Sequence, residues 1–235
     1  VGVDPVARRL MKLAAERNLP RAILVNKIDN GEDLSGFLST LQETFGSACC
    51  PINLPTDGGT SVVSCFQESS GDSDLGDVAD HHTALVDQIV EVDEELMEKY
   101  LEAGELAPEE LLQPFRRAMR EGHLVPVGFM SARNSVGVVE FMSQIARLFP
   151  NPGEGNPRPF QLLGGEARED LEVQSDASAT PIGHCFKVAS DPFVGKLCFF
   201  RVHQGTINNG TNPKVADHKK GARLAQLYAY CGKSN

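Results

Sequence analysis

Two short apolar segments, each followed at once by polar residues, limit the fold of this chain most strongly. Residues 21–25 and 124–130 have the composition of strands that are buried on both faces. Such strands occur mostly in parallel sheets, whose strands need long and usually helical connections between them. Apolar residues at helical spacing lie between the two segments, as in residues 34–45, and follow the second one in residues 138–148. The same spacing predicts one helix with an apolar face from Leu85 to Tyr100, and residues 50–54 fit a further strand. We therefore predict an α/β fold built on a parallel sheet.

The composition of the chain changes near residue 150. A proline- and glycine-rich stretch begins at Pro150, and a polar tract continues to about residue 179. The segments 184–189 and 197–203 that follow are rich in β-branched and aromatic residues, with turn residues between them. We therefore predict three regions: an α/β part over residues 1–150, a linker over 151–180, and part of an all-β domain over 181–235.

The polar residues after the first apolar segment form a known pattern, Asn26-Lys27-Ile28-Asp29. In open α/β sheets, ligands bind at the carboxyl ends of strands, and N-K-x-D in that place is typical of the guanine-specificity loop of GTPases. The Asp29 carboxylate can accept hydrogen bonds from N1–H and the exocyclic amine of guanine, which adenine does not offer. The stem of Lys27 can cover the ring, and Asn26 can brace the loop. Four residues also fit an ordinary charged surface loop.

The second apolar segment is followed by Ser131-Ala132. GTPases have a Ser-Ala pair at this place, with backbone N–H groups directed at the guanine O6, although the pair alone also fits a helix N-cap. Because the two patterns come in the right order, we predict that the base-binding residues are Asn26, Lys27, Asp29, Ser131 and Ala132. About a hundred residues separate the patterns, more than one βα unit needs, so we predict an insertion over about residues 50–120.

Residues 186–197, with the sequence FKVASDPFVGKL, and residues 199–202 resemble the first hairpin of the second domain, a β-barrel, of elongation factor G. Elongation factor G is the translocation GTPase of bacterial translation. Residues 92–101 resemble the helix before the Ser-Ala strand in that family, and Asn26, Lys27 and Asp29 match its guanine loop. Residues 122–133 are more similar to the elongation-factor-G-like paralogues. The resemblance covers nearly the whole chain.

The resemblance implies a partial P-loop GTPase (G) domain with an insertion, followed by the start of an all-β translation-factor barrel. It implies that the intact protein binds GTP and GDP and hydrolyses GTP on the ribosome. The family carries its phosphate loop, catalytic His and magnesium ligands upstream of the guanine loop, so we expect no catalytic and no metal-binding residue in this chain. The chain begins at Val1, and we expect it to be an internal fragment.

The pattern G-x-x-x-x-G-K-[ST], which holds nucleotide phosphates, does not occur in the sequence. Gly232-Lys233-Ser234 matches its end, but Leu227 stands where the first glycine is needed. Two alternatives to a GTPase remain open on the sequence: a ribosome-docking protein that binds guanine nucleotide without turnover, and a ribosome-protection factor.

Charge is distributed unevenly along a chain whose net charge is −10. Residues 68–110 hold 15 acidic residues against one lysine, whereas residues from 186 onward hold eight basic against two acidic residues. We expect the basic end to contact ribosomal RNA, above all through the cluster Lys214, Lys219, Lys220 and Arg223.

The six cysteines show no C-x-x-C spacing, which favours a reducing compartment. We expect a cytoplasmic monomer that binds no membrane.

Overall fold

The computed structural model describes residues 3–31, 34, 36–156, 160–162, 169–215, 221, 223–224 and 226–229. The chain divides into two compact units, residues 1–157 and residues 158–235. The α/β fold with a parallel sheet lies in the first unit, as the sequence predicted.

A three-stranded parallel sheet forms the centre of the first unit, with β7 between β1 and β2. Both predicted strands are in it, and residues 49–51 add the third. The prediction that both are buried on both faces holds for the second strand but is wrong for the first, where Leu24 is 43% exposed. Its strands are β1 (Ile23–Asn26), β2 (Cys49–Pro51) and β7 (Val125–Met130). Two antiparallel pairs complete the strands of this unit, β3 (Asn53–Thr56) with β4 (Ser61–Ser64), and β5 (Asp72–Ser73) with β6 (Gly76–Asp77).

Helices cover the sheet, and their ends follow the sequence signals. The Asp4 carboxylate accepts a hydrogen bond from Val6 N at 2.6 Å, and Pro5 occupies the first helical position. Pro108 occupies the first position of a later helix, although the residue before it, Ala107, makes no side-chain cap. The helices are α1 (Pro5–Glu16), α2 (Phe37–Phe45), α3 (Val78–Val90), α4 (Glu94–Ala103), α5 (Pro108–Glu121) and α6 (Val138–Leu148).

The prediction of one helix with an apolar face from Leu85 to Tyr100 is wrong. The chain leaves α3 after Val90 and begins α4 at Glu94. Asp93 separates them, because its side chain accepts a hydrogen bond from Leu96 N at 3.1 Å and so caps the second helix. The apolar spacing runs across the break, which hid the cap.

The prediction of one strand over residues 50–54 is also wrong. This segment belongs to two sheets, because β2 pairs with β7 and β3 pairs with β4. The change occurs at Ile52, whose N–H donates to Val127 O while its carbonyl accepts from Cys65 N. A single residue thus bonds to both neighbours, and the chain turns from one sheet into the other.

A hydrophobic core joins the segment predicted as an insertion to the central sheet. Leu54, Phe115 and Leu124 are fully buried in one cluster with Leu85 and Leu148. The predicted insertion therefore shares its core with β2 and with α6. Cys49, Cys50 and Cys65 are buried in these cores, and burial raises the pKa of the Cys50 thiol to about 12.

The regular elements in the described part of the second unit are all strands. β10 (Ile182–Asp191) pairs antiparallel with β11 (Gly195–Gln204) through the predicted turn, whose Asp191 carboxylate accepts hydrogen bonds from Phe193 N and Val194 N. A shorter antiparallel pair joins β8 (Phe160–Leu162) to β9 (Glu169–Leu171). Residues 217–220, which hold the predicted basic turn with Lys219 and Lys220, and Gly232-Lys233-Ser234 lie outside the described residues.

Within the described ranges, no helix is both long enough and apolar enough to cross a bilayer. The same ranges contain no group of three or more His, Cys, Asp or Glu side chains arranged to hold a metal ion.

Candidate base-binding site

The two predicted polar loops leave the central sheet side by side. β1 and β7 are parallel neighbours, and their register aligns Asn26 with Met130. The loop after β1 therefore starts beside Ser131, although 105 positions separate the two residues in sequence. Asn26 is the last residue of β1, and the other four predicted site residues lie in these two loops.

Asn26 links the two loops through a single side-chain oxygen. Its Oδ1 accepts a hydrogen bond from Lys27 N at 2.8 Å and another from Ala132 N at 3.0 Å. A carbonyl oxygen has two lone pairs, so both bonds can form at once. The predicted bracing role of Asn26 thus takes the form of a clasp between the loops.

The backbone turns sharply after Asn26, and a buried side chain, that of Ile28, holds the turn against the core. Lys27 has a left-handed conformation with φ 70°, and a short 3-10 helix follows over Ile28–Asn30. Ile28 is 4% exposed and packs in a cluster with Val25 and Phe129. The position that varies in the N-K-x-D pattern is therefore an apolar anchor, and it leaves Lys27 and Asn26 exposed.

The Asp29 carboxylate is partly enclosed by the second loop. Its Oδ2 accepts a hydrogen bond from Asn134 Nδ2 at 3.0 Å. The Ser131 hydroxyl beside the carboxylate does most to hold the pKa of Asp29 below its ordinary value. Partial burial opposes this shift, while the backbone amide of Asp29 and the charge of Arg133 favour it. Asp29 is therefore ionised at neutral pH and can only accept hydrogen bonds.

Ser131 and Ala132 brace the second loop rather than present free amides. Ser131 is fully buried, and its N–H donates to Val136 O at 2.9 Å. The Ala132 N–H donates to Asn26. Protein oxygens accept from both amides in this structure, and the expectation that the amides point to a base oxygen stays a prediction. The two residues support the site by fixing the loop.

Sequence reasoning missed three residues that shape the site. Asn134 contacts Asp29, and its position three residues after Ser131 was the only sequence signal. Asn53, the first residue of β3, is buried beside the end of β7. Its side chain donates to Phe129 O at 3.0 Å and accepts from Phe129 N at 2.7 Å. Gly59 touches the guanine-type loop from a distant turn. The last two had no local pattern that could have revealed them.

Comparison with known proteins places the chain in a family. The family model described as the elongation factor Tu GTP-binding domain matches residues 1–151. The chain therefore belongs to this family, the translational GTPases, and its first unit is a GTP-binding domain.

A crystal structure of a protein from Thermus thermophilus is similar to the whole of this chain. The TM-score is 0.74 and the sequence identity is 27%. This chain spans only 34% of the length of that protein.

Proposed function

We propose that Asn26, Lys27, Asp29, Ser131 and Ala132 form the guanine-recognition site of a translation factor of the elongation factor G type. The observation that carries the proposal is the Asn26 clasp, since one side-chain oxygen holds both loops at the end of β1 and β7. The clasp supports the loop that bears Asp29, an ionised acceptor beside the buried Ser131.

Each residue has a separate task in this proposal. The Asp29 carboxylate accepts hydrogen bonds from the N1–H and the exocyclic amine of guanine, a pair of donors that adenine lacks. The exposed stem of Lys27 covers one face of the base. Asn26 keeps the two loops together, and Ser131 and Ala132 fix the second loop against the first.

The intact protein, in this proposal, is a GTPase that acts on the ribosome as a cytoplasmic monomer. Phosphoryl transfer needs positioned phosphates and Mg²⁺, and no phosphate-loop pattern occurs in these 235 residues. We therefore assign the phosphates and Mg²⁺ to residues outside this chain. Membership of the translational GTPases supports the proposal, and so does the resemblance of residues 186–202 to elongation factor G.

Binding of free nucleosides to this chain tests the base site without phosphates. Guanosine and adenosine are titrated separately into the ¹⁵N-labelled chain, and backbone amide shifts are followed at Lys27 and Ala132. We expect saturable shifts with guanosine, none with adenosine, and loss of the guanosine response in Asp29→Ala. Asp87→Ala, which removes an exposed carboxylate from α3, is the matched control and should bind as the wild type. Equal responses to both nucleosides would refute the site.

A ribosome-stimulated phosphate-release assay on a longer form of the protein tests the enzymatic part of the proposal. Stimulated release that Asp29→Ala weakens supports a GTPase. Guanine-nucleotide binding without release would favour the non-catalytic alternative.

A further inference from the structure

We infer that Asn134 is a gate of the base site: its side-chain amide occupies the Asp29 carboxylate when no base is bound and must leave before guanine can bind. This inference rests on the proposed function, because it assigns a role to a residue of the same site. It adds a residue that lies outside the N-K-x-D and Ser-Ala patterns.

Neither oxygen of the Asp29 carboxylate is free to accept a hydrogen bond from a base in this geometry. Oδ2 accepts the hydrogen bond from Asn134 Nδ2 at 3.0 Å. Oδ1 is shielded from solvent and has no hydrogen-bond partner of ordinary geometry among the described residues. A guanine edge presents two parallel N–H donors and needs both oxygens. Neither oxygen of Asp29 is open and unoccupied, so the base cannot bind to this arrangement as it stands.

The chemistry of the contact matches the chemistry of the ligand. An ionised carboxylate accepts but does not donate, so the Asn134 amide must turn its NH₂ group toward Asp29. That NH₂ group is a donor of the same kind as the exocyclic amine of guanine. Asn134 therefore fills the position of a ligand donor in this structure and gives Oδ2 a hydrogen-bond partner.

The gate can open without a change in the fold. Asn134 is exposed, and its backbone N–H donates to Ser131 Oγ at 3.3 Å independently of its side chain. The turn is closed by two hydrogen bonds between Ser131 and Val136. Rotation of the Asn134 side chain away from Asp29 leaves these bonds in place. Rotation of Asn134 frees Oδ2, and the Asp29 carboxylate must also turn to expose Oδ1, so only these two side chains need to move.

A closed gate lowers the apparent affinity for the base. If the binding-competent state is a fraction of the population, the apparent dissociation constant is the intrinsic constant divided by that fraction. Removing the Asn134 amide abolishes the competition. We expect guanosine to bind Asn134→Ala about three to ten times more tightly than the wild type, the range that one charge-assisted hydrogen bond at an exposed site can account for.

The experiment measures guanosine dissociation constants by NMR titration for the wild type, Asn134→Ala and Asn134→Ser. Asn30→Ala is the matched control, since Asn30 is an exposed asparagine on the first loop. Tighter binding in both Asn134 variants, with Asn30→Ala unchanged, supports the gate. Unchanged or weaker binding in the Asn134 variants overturns it, because weaker binding would mean that Asn134 orients the carboxylate for the base. If Asn134→Ala loses its folded amide spectrum, Asn134→Ser decides.

A measurement without ligand separates this inference from the proposed function. The side-chain amide signals of Asn134 should shift in Asp29→Ala when no nucleoside is present, and a lack of shift would overturn the gate alone. Guanosine binding that survives Asp29→Ala would instead refute the proposed base site. The two failures therefore give different results.

Discussion

Gly59 lies directly against the backbone carbonyl of Ile28, so closely that a Cβ on Gly59 would come within 2.2 Å of that oxygen. Gly59 belongs to the turn between β3 and β4, whereas Ile28 is the buried residue of the candidate guanine loop. The Asp74 carboxylate holds the turn by accepting hydrogen bonds from Gly58 N at 3.1 Å and Gly59 N at 2.9 Å. The segment between the two site loops therefore supports the first of them.

Substitution of Gly59 by alanine should displace this loop. The new methyl group would clash with the Ile28 carbonyl, and the backbone at φ +78° would be strained. We expect a loss of about 2–3 kcal/mol in the free energy of unfolding and at least a several-fold weaker binding of guanosine. Urea denaturation and NMR titration measure the two effects.

Gly58→Ala is the matched control for this prediction. Gly58 has a similar φ of +67°, but a Cβ on Gly58 would meet nothing within 4 Å. This variant should carry only the backbone strain, about 1 kcal/mol, and should bind guanosine as the wild type does. Equal loss of binding in both variants would show that the close contact with Ile28 is not what holds the loop.

Asp29→Asn should change which base the site prefers. Xanthine has a carbonyl where guanine has its exocyclic amine, so an amide side chain can donate where the carboxylate could only accept. We expect guanosine affinity to fall by about tenfold or more and xanthosine to become the better ligand. Calorimetry or NMR titration of both nucleosides tests this, and unchanged guanosine affinity would contradict the role of Asp29.

This chain by itself should not hydrolyse GTP. The sequence contains no G-x-x-x-x-G-K-[ST] pattern, and phosphoryl transfer depends on groups that position and neutralise the phosphates. Phosphate release from GTP by the purified chain should equal that of buffer. Hydrolysis that disappears in Asp29→Ala would contradict the prediction, whereas hydrolysis that persists in that variant would indicate a contaminant.

The second unit should lose stability in mild acid because of His203. Its ring packs against Phe160 with the centroids 5.0 Å apart, and desolvation does most to lower its pKa. The nearby charges of His184 and Arg201 act in the same direction. A lowered pKa means that the unfolded chain binds the proton more readily. The contribution of His203 is therefore fully present above about pH 6.5 and is lost as the pH falls below that value.

NMR titration of the His203 ring should give a pKa below 6.5. Amide hydrogen exchange in β8 and β11 should accelerate below that pH, and His203→Gln should remove this dependence. A ring that titrates at or above the ordinary value would contradict the prediction.

The sequence by itself determined the elements with strong local signals. Residues 22–25 and 124–130 are continuous apolar runs, so both could be predicted as strands of a parallel sheet, and the parallel arrangement brought Asn26 beside Ser131. The runs could not show that β7 is buried whereas Leu24 of β1 is 43% exposed. Asp4-Pro5 fixed the start of α1 for an equally local reason. The five candidate site residues could thus be named before their contacts were known, because they follow strands in a pattern with a specific chemistry.

Only the tertiary structure decided what the site side chains contact. Apolar spacing continued from Leu85 to Tyr100 across the cap at Asp93, since periodicity records which face is buried and not where the backbone is interrupted. The close approach of Gly59 to Ile28 and the hydrogen bond from Asn134 to Asp29 join residues 31 and 105 positions apart. Such contacts depend on the packing of whole elements, and a linear pattern of residues contains no information about them.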